Sequence, residues 1–257
     1  MTTLLEEKDI ARLLAFMTCT FLVSLGLVSP VGQFINRHVY KFHSENSWKS
    51  MIMKYNVYLL LVGLVSFTFF SLLLSYNPSL VGTEHPVLFS FVIATYVYFS
   101  TWVQTIPSLL NLLEKARKFV ILSVISQILI LSSIAFFVLH WQQSSHFWIL
   151  GSLTGNILMC GFFLLLSWRK RLIVAEGVNT NFEVGFREMA LFSLPIMVTS
   201  TLAWVQIHSY KLFLMRFFTD EVTARIGVYL ALGLSLMSAL ELLVTQLLYP
   251  AFYKAIN

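Results

Sequence analysis

Charged residues are scarce in this sequence. Only 11% of the 257 residues are Asp, Glu, Lys or Arg, whereas soluble domains carry about 25%. The hydrophobic fraction is 58% and the mean hydropathy is +0.79. This composition excludes an ordinary soluble domain and indicates a membrane protein.

Cysteine and the usual catalytic motifs are scarce as well. The two cysteines, Cys19 and Cys160, each lie inside an apolar stretch, so no disulfide framework is predicted. The sequence has no Gly-rich phosphate loop, no histidine pair at metal-ligand spacing and no nucleophile elbow. We therefore expect a protein that is not an enzyme and that binds no cofactor, no metal and no nucleic acid.

Long apolar runs are what the sequence does contain. A helix needs about 20 apolar residues to cross a hydrocarbon core about 30 Å thick. Runs such as YLLLVGLVSFTFFSLLL are continuous rather than alternating, which favours helices over the strands of a β-barrel. We therefore predict an all-α, polytopic membrane helix bundle. Its seven predicted transmembrane helices cover residues 11–31, 55–75, 87–110, 119–140, 147–167, 189–213 and 226–249.

The breaks between these windows differ in positive charge. One alternating set of breaks holds 12 Lys and Arg residues, and the other set holds four. Lys and Arg accumulate in cytoplasmic loops, so the N-terminus is predicted outside and the C-terminus in the cytoplasm. The N-terminus lacks the basic region of a signal peptide. For that reason we expect that one helix before the first window is missing from this chain.

Polar residues inside the windows are the candidates for a functional site. Ser and Thr stripes are explained by close helix packing, but five windows each present a polar side, which favours a shared water-filled cavity. Residues on these sides form the predicted substrate path. They are Gln104, Gln127, Asn156, Trp204, His208 and Lys211.

Glu241 is the strongest single signal, because an ionised side chain costs about 2.5–3.5 kcal/mol in a membrane on insertion scales. If the last two windows pair antiparallel, Glu241 lies about 16 Å deeper than Lys211. We therefore predict another partner, a proton or a water-filled cavity for Glu241, and a role in coupling an ion or proton. Lys211 has an alternative role, in which its stem lets the ammonium reach the outer surface. The segment 211–218 would then be the outer exit of the sixth span.

Several segments carry a resemblance to a known family. FLVSLGLVSPVGQFINRHVY, residues 21–40, resembles the second helix of bacterial polysaccharide flippases of the Wzx type. Residues 194–243 resemble family helices seven and eight, and YPAFYKA, residues 249–255, resembles the end of helix eight. The matching features of 194–243 are Pro195, Trp204, Lys211 before LFL, and Gly227-Val228-Tyr229. A departure is Tyr210, which stands where the family often has an acidic residue.

The resemblance implies part of a two-lobe transporter of the MOP exporter superfamily. Residues 1–167 would form most of the first lobe, 168–188 the cytoplasmic linker and 189–257 the start of the second lobe. The implied function is to flip undecaprenyl-pyrophosphate-linked repeat units across the bacterial cytoplasmic (inner) membrane by alternating access. The implied partners are membrane lipid, a lipid-linked oligosaccharide and the machinery that assembles O-antigen or other polysaccharide.

Three alternatives remain at this point. A multidrug or small-solute exporter of the same superfamily is the nearest. A membrane-embedded glycan polymerase or transferase is less favoured, because the outer breaks 76–86 and 141–146 are short and poor in charge. A seven-helix receptor matches in helix count and orientation but lacks the inner-end motif that such receptors often show.

Overall fold

The computed structural model describes residues 5–44, 47–77, 85–141, 143–168 and 185–256. These residues form helices and contain no strand, so the all-α prediction is confirmed. We label the helices in chain order, with π1 for a single π-helical segment. Their bounds are α1 Glu7–Val23, π1 Ser24–Val28, α2 Ser29–Arg37, α3 Val39–Ser44, α4 Trp48–Tyr76, α5 Pro86–Leu112, α6 Ala116–His140, α7 Ser145–Trp168, α8 Phe186–His208, α9 Tyr210–Phe217 and α10 Asp220–Ile256.

Six of the predicted spans are present as helices long and apolar enough to cross a membrane. They are Glu7–Arg37, Ser50–Tyr76, Pro86–Leu112, Ala116–His140, Ser145–Ser167 and Phe186–His208. The chain is thus a multi-pass membrane protein by helix length and composition. The seventh window, 226–249, falls on α10, where the described residues give only a shorter apolar stretch, Ala239–Tyr249. Most of the predicted linker, 169–184, lies outside the described residues.

The sixth window also differs from its prediction. A single helix was expected over 189–213, but α8 ends at His208 and α9 begins at Tyr210. The Ser209 hydroxyl, between them, donates to the carbonyl of Val205 in the preceding turn. Such bonding of a serine to its own helix competes with the backbone ladder and bends helices.

Pro30 shapes the first span. Proline has no N–H and its ring crowds the carbonyl four residues earlier, and the helix widens into π1 directly before it. The Tyr58 hydroxyl donates to the Leu27 carbonyl at 2.6 Å, and the Ser193 hydroxyl donates to the Pro30 carbonyl at 3.4 Å. Neighbouring helices therefore satisfy backbone groups of the irregular segment where water is scarce.

The α1–π1–α2 rod lies at the centre of the bundle. Its side chains Ala15, Phe16 and Val31 are almost fully buried, and α5, α8 and α10 all pack against parts of the rod. The outward faces of α4 and α6 instead expose many Leu, Val, Ile and Phe side chains. In a membrane protein such surfaces face the hydrocarbon rather than water.

Two glycines let α6 and α7 approach closely. A Cβ at Gly151 would lie 2.7 Å from the Ile134 Cα, and one at Gly155 would lie 2.7 Å from the Ile130 Cα. Both contacts are with backbone, which cannot swing aside as a flexible side chain can. Small residues at such crossings are typical of membrane helix pairs.

We predict that Gly155→Ala destabilises the protein by about 1–3 kcal/mol, because it overpacks this crossing. Gly161→Ala on the same helix is the matched control, since a Cβ there meets nothing within 4 Å. Both changes gain roughly 1 kcal/mol of helix propensity, so only the crossing separates them. Thermal unfolding in detergent measures the difference. Equal melting temperatures for the two variants would contradict the close approach of α6 and α7.

Candidate functional site

Three predicted site residues meet where α8 and α9 cross α1. The Trp204 indole, 7% exposed, donates to the Thr18 carbonyl at 3.0 Å. The His208 ring stacks on Phe21 with 4.9 Å between centroids. Lys211 follows on α9. Trp204 is therefore a packing contact between helices as well as a candidate for the substrate path.

Lys211 does not leave the bundle as its alternative role required. Its side chain is 6% exposed, because α9 packs against α1 and α10 after the break at Ser209. The ammonium lies 5.9 Å from the centroid of the Tyr210 ring, within the range of a cation–π contact. In the part of the chain that the structure describes, no carboxylate lies within ion-pair distance of Lys211.

The neighbours of Lys211 have unused polar atoms. The Nδ1 of His208 and the hydroxyl of Tyr210 are buried, and neither has a hydrogen-bond partner among the described residues. A buried ammonium beside unsatisfied polar atoms is costly unless a ligand completes it. An anionic group would accept the Lys211 and Tyr210 hydrogens in short, charge-assisted bonds. We refer to Trp204, His208, Tyr210 and Lys211 as the α9 cluster.

Gln104 lies at a second feature, an uncovered position on one face of α5. Val97, Gln104 and Asn111 are spaced by seven and share one face of α5. Val97 is 2% exposed and Asn111 is 8% exposed, whereas Gln104 between them is exposed. The helix face is therefore covered above and below Gln104 and open at its level. Pro107, inside α5, lies between Gln104 and Asn111.

Glu241 lies on the part of α10 that stands away from the bundle. Near its start α10 touches α1 so closely that a Cβ at Gly227 would lie 2.2 Å from the Leu14 Cδ1. Glu241 is 14 residues further, about 21 Å along the helix and within about 40° of the same face. Its side chain is nevertheless exposed, as is that of Leu240 beside it. The face of α10 that packs on α1 has therefore separated from the bundle at this depth.

The far end of α10 returns to α5. The Asn111 Nδ2 donates to the Gln246 carbonyl at 3.0 Å and to its side-chain oxygen at 2.9 Å. Further along, the Lys254 ammonium donates to Glu114 at 2.6 Å. We call these two contacts the α5–α10 latch. On α10, Glu241 thus lies between the α1–α10 contact and the latch, five residues before Gln246, and on α5 Gln104 lies seven residues before Asn111. We call the region of α5 and α10 around these two exposed side chains the gap.

Glu114 occupies a backbone position that normally belongs to glycine. Its φ is 60°, and the amides of Glu114 and Lys115 donate to the Asn111 and Leu110 carbonyls at 3.0 and 2.9 Å. This is a Schellman motif, in which the left-handed residue is usually glycine. An L-residue costs roughly 1–2 kcal/mol there. Backbone strain of this kind is retained where the side chain has a role, and this side chain makes the latch.

The electrostatics of the latch keep it charged at neutral pH. The hydrogen bond to Glu114 and its negative charge raise the pKa of Lys254. Burial raises the pKa of Tyr40, which donates to the Leu112 carbonyl at 2.6 Å, and the charge of Glu114 raises it further. Because the pKa of Lys254 is raised, its charge in the ion pair is kept at neutral pH and is lost as the pH rises through the raised value.

The remaining predicted residues lie elsewhere. Gln127 is exposed on α6. Asn156 is 3% exposed on α7, and its Nδ2 donates to the Ser152 carbonyl of the same helix at 2.8 Å. The structure therefore does not bring these two residues to the gap or to the α9 cluster.

Several Ser and Thr hydroxyls of the predicted polar stripes bond within their own helices. Thr101 donates to Val97, Ser126 to Ser123 and Thr245 to Glu241, at 2.6–2.9 Å. The helix-packing explanation accounts for these three hydroxyls. A polar cavity therefore depends on a few exposed side chains rather than on the stripes as a whole.

The four latch residues were missed by the sequence reasoning. Asn111 and Glu114 lie 135 and 140 residues from their partners in the chain, and no local pattern reports such a pairing. One signal was available. The turn between the third and fourth windows has Glu rather than Gly after the helix end, which is unusual for a C-terminal cap.

Comparisons with known proteins add no family assignment. No family model, no curated protein and no solved structure matches the chain.

We predict that breaking the latch opens the gap. In a Gln104→Cys chain, Glu114→Gln should raise labelling by an impermeant maleimide, added from the membrane face at which α5 ends, roughly two- to fivefold. Glu221→Gln is the control, because it removes only the ion pair to Arg225 within the start of α10. The charge exchange Glu114→Lys with Lys254→Glu should restore protection. Unchanged labelling in Glu114→Gln would contradict closure by the latch.

Proposed function

We propose that the chain is a membrane transporter that works by alternating access. The observation that carries this proposal is the arrangement of α5 and α10, which the latch joins at one end while Gln104 and Glu241 are exposed before it and α10 packs on α1 near its start. A site near mid-membrane with separate closures toward the two faces is what alternating access requires. Pro107 permits α5 to bend beside the gap.

We also propose that α10 is a seventh span. Its 37 residues extend about 55 Å, more than a hydrocarbon core of about 30 Å. The latch supports this arrangement, because it joins the end of the third predicted span to the end of the seventh. Both ends belong to the face with the larger Lys and Arg count. On this topology the first helix starts outside and α10 ends in the cytoplasm of a bacterial cell.

The proposed substrate is an undecaprenyl-pyrophosphate-linked polysaccharide repeat unit. The resemblance to Wzx-type flippases indicates the class, and the chemistry of the α9 cluster supports it. A buried ammonium with a phenol beside it is suited to a pyrophosphate, and attraction between charges strengthens where water is scarce. Membrane lipid and the polysaccharide assembly machinery would be the partners.

Glu241 is the proposed site for a coupling proton or cation. It is an acidic side chain on a helix that faces a gap in the bundle, and a carboxyl group in such a place changes its charge when it binds a proton. Protonation would remove the cost of keeping an ionised group within the membrane. The free-energy cost of an ionised Glu241 is therefore higher when the gap is closed to water than when water fills it.

We expect Glu241→Gln, introduced at the chromosomal locus, to lower export of surface polysaccharide at least tenfold. Glu221→Gln is the matched control, since Glu221 pairs with Arg225 on the exposed start of the same helix. Surface polysaccharide is quantified by antibody or lectin binding, and chain abundance by immunoblot. Normal export in the Glu241→Gln strain would remove the coupling role. Normal polysaccharide together with lost drug efflux would favour a small-solute exporter instead.

We expect Lys211→Met to separate stability from transport. Met has a similar length and no charge, so the variant should be more stable by about 1–3 kcal/mol, as when buried charges are replaced by apolar groups. The same variant should lose export, because the ligand for the pyrophosphate is gone. Melting temperature and export are measured on the same preparations and strains. A stabilised variant with normal export would exclude Lys211 from the substrate path.

A further inference from the structure

A separate cavity lies where α4 begins, away from the gap and from the α9 cluster. Its volume is about 320 Å³, which falls in the range of small-molecule sites. Phe34 and Phe42 of the α2–α3 segment form one wall, α4 forms the second, and Phe186 at the start of α8 borders the third side. We call this cavity the α4 groove.

The α4 groove is elongated along its helix. Its lining on α4 includes Ser47, Lys54 and Leu61, which recur every seven residues and so follow one face. From Ser47 to Leu61 the helix rises about 21 Å. One leaflet is half of a bilayer that is about 40–45 Å thick with its headgroup regions. The groove therefore has the length of one leaflet.

The mouth of the groove opens on the apolar surface of the bundle. Met53, Val57, Leu61 and Phe186 line the groove and are each more than half exposed. On helices that cross a membrane, exposed apolar side chains contact lipid tails. Because the lining is apolar and the groove opens toward lipid tails, the ligand that fits it is an acyl chain.

The end of the groove at the membrane surface is polar instead. Ser47 is 9% exposed, and its buried hydroxyl has no hydrogen-bond partner among the described residues. Ser47 directly precedes α4 and makes no side-chain cap bond to it, so this donor is not used by the helix. Ser50 and Lys54, about one and two turns further along α4, also line the groove. The start of a long helix, with its free N–H groups and positive dipole end, attracts phosphate.

We propose that the α4 groove binds one anionic phospholipid of this leaflet. One acyl chain lies between α4 and the start of α8, and the phosphate accepts hydrogen bonds from Ser47 and contacts Lys54. The polarity of the lining runs in the same order as that of the lipid, from a charged head to an apolar tail. Anionic lipids are held at such basic sites near the membrane surface. This site is independent of the proposed transport function.

Native mass spectrometry of the whole chain tests the headgroup. Phosphatidylglycerol and phosphatidylcholine with the same acyl chains are the probes. We expect one phosphatidylglycerol to be retained in preference to phosphatidylcholine. Lys54→Gln should lower its retention about fivefold, whereas Lys54→Arg keeps the charge and should retain it. Ser47→Ala should also lower retention of phosphatidylglycerol. Equal retention of the two lipids would overturn the proposal.

A second pair of variants tests the groove itself. Gly185 borders the groove, and a Cβ there meets nothing within 4 Å. Gly185→Phe should fill the groove and abolish retention of phosphatidylglycerol. Gly161→Phe is the matched control, because Gly161 on α7 is equally unobstructed and lies elsewhere. Unchanged retention in Gly185→Phe would overturn the proposal. Displacement of phosphatidylglycerol by an equimolar polyisoprenyl phosphate would do so as well, since the occupant would then be a carrier lipid.

Discussion

The scarcity of water in the hydrocarbon core is the constraint on which the rest of the structure depends. Polar groups there must find partners within the protein. In the described residues, several Ser and Thr hydroxyls donate to carbonyls of their own helices. The Tyr58 hydroxyl donates to a carbonyl of the irregular π1 segment, and the Trp204 indole donates to a carbonyl of α1. The α9 cluster is an exception, since the described residues do not satisfy His208 and Tyr210. Two unsatisfied polar atoms beside a buried ammonium mark a place where a function is best sought.

The same constraint explains why α10 is held at its ends. At its start the helix packs on α1, and at its far end Asn111 and Glu114 bind it by polar contacts. An exposed ion pair stabilises by at most about 1 kcal/mol, so the latch can form and break within a working cycle. A tight apolar contact such as Leu14 with Gly227 does not exchange so readily. The two ends of the gap therefore differ in how easily they open.

The helices could be predicted from the sequence, but only part of the candidate site could. Length and apolar content located six spans. The break at Ser209 was missed, because one serine in an apolar window gives no periodic signal. Lys211 was consequently given an outer-surface alternative, whereas its burial follows from where α9 packs. The latch joins residues more than 130 positions apart, and only tertiary structure brings them together.

The break at Ser209 connects local chemistry to the placement of charge. Lys211 lies in the first turn after Ser209, near the outer end of the sixth predicted span, where an ammonium at the membrane surface would be readily hydrated. The Ser209 hydroxyl bonds to the Val205 carbonyl, and α9 packs against α1 and α10, so Lys211 is covered. Burying the charge this way lowers stability, since a buried ammonium without a carboxylate is costly. A fold that keeps this arrangement gives up stability at the place where an anionic ligand would restore it.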